Sequence, residues 1–351
     1  MNKKTPYFIY KPQRLKENYT RLATLAQHYL KKYSIAYSVK TNSYKPLLKD
    51  LQILGAHFEV ASLDEIKKFP RCDIFNGPAK TLQELKKAIQ RKCLINVDSF
   101  SELHKLKKIA KNKNPINIGI RISCKEEKFG FSIAQLPQLL DEIKNENISI
   151  KSLHFHPGTQ QNFLEYTSFL KTAADVVNQL DLPSLDSINL GGGLPDKQQL
   201  ANQKKELEDY VKAISEQFKK QIKEEKTIIL ETGRALIADV FELITQVIAI
   251  KQKDNKKYAI LDAGINLLPK ITLANYRFIK IKNNSQKIIE KKEPYVLAGP
   301  LLFGNDILTT INENLNEGDL IKVENVGAYC YNLAWEISYK RPKIIINNDN
   351  V

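Results

Sequence analysis

The sequence predicts an α/β chain, a (β/α)8 barrel followed by a C-terminal all-β domain. Three observations carry this expectation. Over roughly the first 240 residues, eight short β-branched runs each lead towards an amphipathic segment, and eight is the strand count of a closed parallel barrel. After residue 236 apolar runs follow one another with no helical pattern between them, which reads as a second, all-β domain. The length of 351 residues suits about two domains, or one barrel with an appendage. A doubly wound open sheet produces the same alternation, so periodicity leaves that alternative open.

The first helix spans 12–31, with Leu15, Tyr19, Leu22, Ala26 and Tyr29 or Leu30 on one face. The predicted strands of the alternating region are 35–39, 57–60, 73–75, 93–97, 116–122, 148–155, 185–190 and 227–230, and helical patterns cover 81–90, 99–111, 132–145, 162–180 and 199–221. Thr81 with Glu84, and Ser99 with Glu102, have the spacing of capping boxes. Beyond residue 236, VFELITQVIAIK, KYAILD, YRFIKI, PYVLAG and DLIKVEN read as successive strands. The Lys/Asn-rich pieces 112–114, 251–257 and 281–287 read as solvated loops.

Composition removes several function classes. With 42% hydrophobic and 26% charged residues the chain is ordinary for a globular protein, which argues against disorder, collagen and coiled coil. Lys and Arg number 54 against 39 Asp and Glu, a net charge of +15, and such a balance invites a nucleic-acid partner. The basic residues are dispersed over the chain rather than gathered into an arm, so no nucleic-acid partner is expected. No apolar run reaches the length of a membrane span, and the opening MNKKTPYFIY has no signal-peptide core, so a cytoplasmic protein without a membrane partner is expected. The four cysteines are scattered and lack a C-x-x-C pair, so free buried thiols and no metal site are expected.

In a barrel the chemistry sits at the carboxyl ends of the strands. The first end carries Lys40 in YSVKTN. A lysine leaving a buried strand is partly desolvated, which lowers its pKa and frees a nucleophilic amine, although a lysine emerging to solvent fits the same pattern. The sixth end reads HFHPGTQ, with His154 and His156 on one strand face. His156, nearer the mouth, can stack on a planar ring, while Gly158 and Thr159 offer an N–H and a hydroxyl to an anion. The seventh end carries Gly191, Gly192 and Gly193, which let backbone N–H groups approach a phosphate. The pattern is not G-x-G-x-x-G, so a dinucleotide is disfavoured. The eighth end, ETGR, supplies Arg234, a fork suited to phosphate, and Glu231, a buried acid in need of a partner. Together these are the parts pyridoxal phosphate requires: a lysine to hold the aldehyde as a Schiff base, a ring to stack, a phosphate cradle and an acid for the pyridine nitrogen.

The ordered series YSVKTN, FEVAS, NGPAK, VDS, RI, KFG, HFHPGTQ, NLGGGLP, ETGR, LDAG and GAY resembles the fold-type III pyridoxal-phosphate enzymes, the ornithine/diaminopimelate decarboxylase group with its alanine-racemase-like barrel. The resemblance covers nearly the whole chain. It implies a barrel over 12–235 and a β-sandwich or barrel-like domain over 236–351, with 1–11 associated with the latter. It implies that Lys40 binds the cofactor covalently and that Glu231 pairs with the pyridine nitrogen. His156 would stack on the ring, with Thr159, Gly191, Gly192, Gly193, Arg234 and Tyr329 around the phosphate. Glu59 would lie towards the substrate, Arg121 would support the site from the fifth strand, and the active sites would be shared across a homodimer.

The departures concern the substrate. Family decarboxylases carry a G-P-x-C-x-x-x-D loop from the partner subunit, and here Gly299–Asp306 keeps that frame, with Leu302 at the cysteine, Phe303 at the acid that in polyamine-type members meets a distal amine, and Asp306 at the aspartate, all three expected on the substrate side. Leucine carries no proton to give, and phenylalanine pairs with no ammonium, so ornithine, lysine and arginine are disfavoured in their familiar pose. No arginine closely follows Asp262-Ala263-Gly264, where a distal carboxylate would need one. Cys330, after GAY, is a conceivable substitute proton donor, with a structural thiol as the simpler reading. The expected activity is decarboxylation of an unusual amino acid or amino-acid conjugate, of diaminopimelate type or from a siderophore or other secondary pathway, free or carrier-bound. A racemase or eliminase, and a non-catalytic cofactor-binding protein, are the alternatives. Glu231 favours decarboxylation over racemisation because an acid at the ring nitrogen supports electron flow into the ring.

Overall fold

The computed structural model describes residues 4–68, 71–110, 115–125, 127–144, 146–180, 182–269, 274–281 and 292–347. The expected loop at 112–114 and nearly all of that at 281–287 lie outside the described residues. Two compact units are present. One contains Tyr19–Lys40 and Leu48–Ala235; the other contains the chain up to Asn18, Thr41–Leu47 and the chain from Leu236 onward.

A strand, β1 (Tyr7–Tyr10), and a helix over Pro12–Leu30 open the chain. Leu15, Leu22, Ala26 and Leu30 of that helix are fully buried, as their spacing requires. The next eight strands are β2 (Tyr33–Ser38), β3 (His57–Val60), β4 (Ile74–Phe75), β5 (Leu94–Val97), β6 (Ile116–Arg121), β7 (Ile148–His154), β8 (Ser187–Asn189) and β9 (Thr227–Thr232). Each pairs in parallel with the next, and β9 returns to β2 with Leu230 opposite Ile35. This closure decides for the barrel over the open sheet. Ala36, Ile74 and Ile229 are buried together inside it, with Leu94 packed against them.

The helices depart from expectation in several places. Lys45–Ile53 and Leu63–Lys68 were not singled out by pattern; the second is short, charged and buries Ile66. The segment 199–221 is broken into Lys197–Asn202, Leu207–Gln217 and Lys219–Lys223, with Lys204 at φ 52° between the first two. Thr81 and Glu84 form the full capping box. Ser99 accepts from the Glu102 N–H at 3.3 Å, but the Glu102 carboxylate turns to Lys80 and the Asp98 N–H instead of completing a box.

Cys72 and Cys93, at the amino ends of β4 and β5, are joined as a disulfide with Cα atoms 5.7 Å apart. The expectation of four free thiols is therefore corrected, because neighbouring parallel strands bring two scattered cysteines side by side. Thiol titration of the protein unfolded without reductant is expected to find two free thiols, Cys124 and Cys330, rather than four.

The second unit holds β10 (Phe241–Lys253), β11 (Lys256–Leu261), β12 (Arg277–Lys280), β13 (Glu293–Ala298), β14 (Ile307–Glu313), β15 (Leu320–Glu324) and β16 (Ile344–Ile346). Their order is β12-β15-β10-β11-β13-β14, and β1 pairs antiparallel with β10 and parallel with β16. The strands β14 and β16 were not read from sequence: ILTTINE alternates weakly and III is too short. The 251–257 loop is instead a tight hairpin. Asp254 and Asn255, at φ 49° and 60°, form its whole connection, the left-handed pair that a two-residue turn demands. Among the described residues no helix is long and apolar enough to cross a membrane.

Candidate active site

The carboxyl ends of the barrel strands converge on a polar floor. Lys40 sits in a single 3-10 turn, Val39–Thr41, directly after β2. Its Nζ lies 2.7 Å from Glu59 Oε2, and its side chain is 43% exposed while that of Glu59 is 0% exposed. The amine is thus ion-paired and reachable. It emerges where the strand ends, and the neighbouring strand β3 presents an acid to it.

Glu231, near the end of β9, is 2% exposed. Asn189 Nδ2 donates to its Oε1 at 2.7 Å, and Asn76 Nδ2 approaches both oxygens at 3.0 and 2.9 Å. His154 Nε2 stands 3.4 Å from Oε2. Burial pushes the Glu231 carboxyl up, but His154, Lys40 and the Asn76 hydrogen bond outweigh it and hold the acid well below the usual carboxylate range. It therefore stays ionised at every physiological pH.

His156 is partly buried beside the glycine run, and a Cβ on Gly191 would come within 2.8 Å of its ring. Its Nδ1 accepts the Gly158 N–H at 3.1 Å, which assigns its proton to Nε2. Burial first, then Lys40 and His154, push its pKa down to about 3. A neutral, flat imidazole results. Two of the expected anion donors are already used internally: the Gly158 N–H by His156, and the Gly191 N–H by Asn189 Oδ1 at 2.9 Å. Gly191, at φ 63°, is required for another reason, since a Cβ would meet the Phe155 carbonyl oxygen at 2.5 Å. Arg234 is 6% exposed at the start of a short helix, while Thr159 is exposed.

A second buried cluster lies at the ends of β4 and β5. Lys80 Nζ donates to the carbonyls of Gly77 and Asn96 at 2.7 and 2.8 Å and to Glu102 Oε2 at 3.0 Å. Burial lowers the Lys80 pKa and raises that of Glu102. Arg121 stands 3.7 Å from Asp98 Oδ1 and lies over the Phe129 ring at 4.3 Å. Among the described residues no group of three or more His, Cys, Asp or Glu is placed to hold a metal ion.

The remaining predicted residues belong to the other unit. Leu302 is 100% exposed, and Phe303 makes an edge contact with Trp335 at 5.9 Å. Asp306 does not present its acid outward: it is 2% exposed and accepts the N–H groups of Ile265 and Leu301 at 2.8 and 2.9 Å. Its role here is to shape the loop. Cys330 is fully buried, 3.0 Å from the Tyr276 hydroxyl, the setting of a structural thiol. Tyr329, at φ 70°, donates its N–H to the carbonyl of Thr41, the residue after Lys40, at 2.7 Å.

The sequence reading missed Asn76, Asn96 and the Lys80–Glu102 pair. Asn76 and Lys80 stand in NGPAK, Asn96 in the predicted strand 93–97 and Glu102 in the Ser99–Glu102 pair, and for the first three a polar residue at the carboxyl end of a buried strand was the available signal.

Residues 16–238 match the model of the pyridoxal-dependent decarboxylase family, pyridoxal binding domain. The chain belongs to this family. Its barrel is a pyridoxal-binding domain, its cofactor is pyridoxal phosphate, and its reaction class is that of the pyridoxal-dependent carboxy-lyases. Similar proteins include the diaminopimelate decarboxylase of Helicobacter pylori strain J99, 29% identical over 97% of this chain and 89% of that protein. The diaminopimelate decarboxylase of Methanocaldococcus jannaschii is 27% identical over 98% of this chain and 86% of that protein. Among solved structures, Helicobacter pylori diaminopimelate decarboxylase complexed with L-lysine superposes with a TM-score of 0.86 at 25% identity, covering 99% of this chain and 93% of that one. A Vibrio vulnificus lysine/ornithine decarboxylase complexed with cadaverine shares the fold, with a TM-score of 0.84 at 24% identity, over 98% of this chain and 95% of that one.

The residues present fit the cofactor. A reachable amine suits an aldehyde, and an acid kept ionised in a buried position suits a protonated ring nitrogen. A neutral imidazole beside them offers a flat face for stacking.

The state of His156 is testable on cofactor-free protein. Its folded pKa is depressed from 6.5 to about 3, so between those values the unfolded chain binds more protons at this site. Stability at the site then rises with pH through that window and falls as the solution is acidified. Thermal melting at stepped pH is expected to show a shallower acid-side decline for His156→Phe than for wild type.

Proposed function

We propose that this chain decarboxylates an unusual amino acid or amino-acid conjugate, with Lys40, Glu231 and His156 as its catalytic residues. The observation that carries the reading is the buried, ionised Glu231 on the same hydrogen-bonded floor as Lys40.

Pyridoxal phosphate, when bound, supplies an aldehyde for covalent attachment and a ring that accepts the electrons left at Cα. The protein residues do the rest. Lys40 offers its amine from a turn where Glu59 can take or return a proton at Nζ. Glu231, by remaining negative, would hold a proton at the ring nitrogen of the bound cofactor and so favour electron flow into the ring. His156 provides a neutral face and adds no charge that would compete with Glu231. Arg234, with Thr159, Gly192 and Gly193, would hold the phosphate, and Arg121 would brace the site. In a homodimer with shared sites, Leu302 and Phe303 would face the partner's substrate pocket, where their hydrocarbon suits a side chain bulkier or less basic than that of lysine or ornithine.

The relatives' own substrate, diaminopimelate, belongs in the test. Purified holoenzyme from the cytoplasmic fraction is assayed for CO₂ release with diaminopimelate, ornithine, lysine and a panel of larger amino acids and conjugates. Release is expected with a member of the larger panel and at least about tenfold less with ornithine and lysine, the order of discrimination lost when a distal ammonium has no partner. Racemisation of a panel member without CO₂ release would overturn the decarboxylase reading.

A further inference from the structure

Two acids in the barrel floor approach one side-chain amide. Glu59 and Glu231 are 0% and 2% exposed. Asn76, just after β4, donates to Glu59 Oε1 at 3.1 Å and to Glu231 at 2.9–3.0 Å. An amide NH2 has two protons, so each acid receives one. The Asn76 carbonyl oxygen accepts Asn96 Nδ2 at 2.8 Å. That bond orients the amide, because the flipped group would turn a carbonyl oxygen towards two carboxylates. Asn96 in turn depends on β6: a Cβ on Gly119 would stand 2.0 Å from Asn96 Oδ1.

We propose that Asn76 is a positioning residue for the reaction, tying the acid beside Lys40 to the acid at the end of β9 by donating one N–H to each. The inference rests on the cofactor reading of the barrel. Two buried carboxylates beside one amide repel each other. A dipole with a proton aimed at each offsets that repulsion and holds both acids in place. Lys40 also faces Glu59, and His154 and Asn189 also face Glu231; Asn76 touches both acids. A buried asparagine that serves only as a structural peg would make the same contacts, so the test must separate charge relief from packing.

The test is a double-mutant cycle of Asn76→Ala with Glu59→Gln, read as the dissociation constant for pyridoxal phosphate added to cofactor-free protein, with thermal melting as the check on folding. Asn76→Ala is expected to weaken cofactor binding about tenfold or more, the usual effect of deleting a hydrogen bond to a buried charge. The double variant is expected to lose much less than the product of the single losses, because Glu59→Gln removes the charge that Asn76 shields. Gly119→Ala, which displaces the Asn96 amide without touching either acid, is expected to weaken binding in the same direction. Asn76→Ser, which retains one donor, carries the same cycle if Asn76→Ala does not fold. Single losses that multiply, or an unaltered dissociation constant in Asn76→Ala, would overturn the inference while leaving the cofactor reading intact. Wild-type protein that fails to bind pyridoxal phosphate would overturn both.

Discussion

Lys40→Ala is expected to abolish turnover and the Lys40-dependent absorbance of bound cofactor, with activity down at least about a thousandfold, since the nucleophile and the amine that exchanges a proton with Glu59 are lost together. The side chain is 43% exposed, so the barrel core is untouched and the variant should fold. Alanine nevertheless leaves Glu59 without its ion partner, and a defect could then arise from the stranded acid. Lys40→Arg separates the two causes. Arginine keeps a positive charge for Glu59 but stays protonated and cannot attack an aldehyde. Both variants are therefore expected to be equally inactive, while Lys40→Arg melts closer to wild type. Turnover by Lys40→Arg within tenfold of wild type would remove Lys40 from its assigned role.

Glu231→Gln is expected to lower turnover by about 10²–10⁴, the range for removing a group that governs proton position in a reaction. The substitution is also awkward for the fold. Asn76 and Asn189 both donate to the carboxylate, and a glutamine NH2 set against either amide loses one of those bonds, at about 1–3 kcal/mol. The pH dependence has a definite sign. The folded pKa of Glu231 is depressed below its ordinary 4.5, so its contribution to stability is present above that value and is lost as pH falls through the folded pKa. In urea unfolding, the gap between wild type and Glu231→Gln should be widest near neutrality and should narrow below pH 4.5. A gap that does not change with pH would show that Glu231 is not held ionised by its neighbours.

Much of this architecture was legible in the sequence because it is local. The run HFEV and the helix over Pro12–Leu30 are recognisable from periodicity, which acts within a few residues. The Thr81–Glu84 box spans three residues and forms as expected. Lys40 and Glu231 were legible as candidates because each stands at a strand end, and Glu59 through the family resemblance. Their relations were not. Glu102 has the spacing of a capping residue, yet a buried Lys80 22 positions away claims its carboxylate. A charge inside the protein takes its nearest counter-charge over a marginal cap. Asp306 has the position of a substrate-facing acid, yet two backbone N–H groups draw it into the loop. Cys72 and Cys93 are 21 residues apart and meet only because β4 and β5 are neighbours.

The sequence by itself determined which residues could act: an amine, two acids, a flat imidazole, a glycine run and a buried arginine, in the order of a barrel's strand ends. Tertiary structure alone decided their states. Closure of β9 onto β2 brings Glu231 to the floor that Lys40 occupies. His154 on β7, Lys40 after β2 and Asn76 after β4 keep that acid ionised where burial would neutralise it. Periodicity reports which face a residue takes, whereas the charge it bears depends on partners that only the closed barrel assembles.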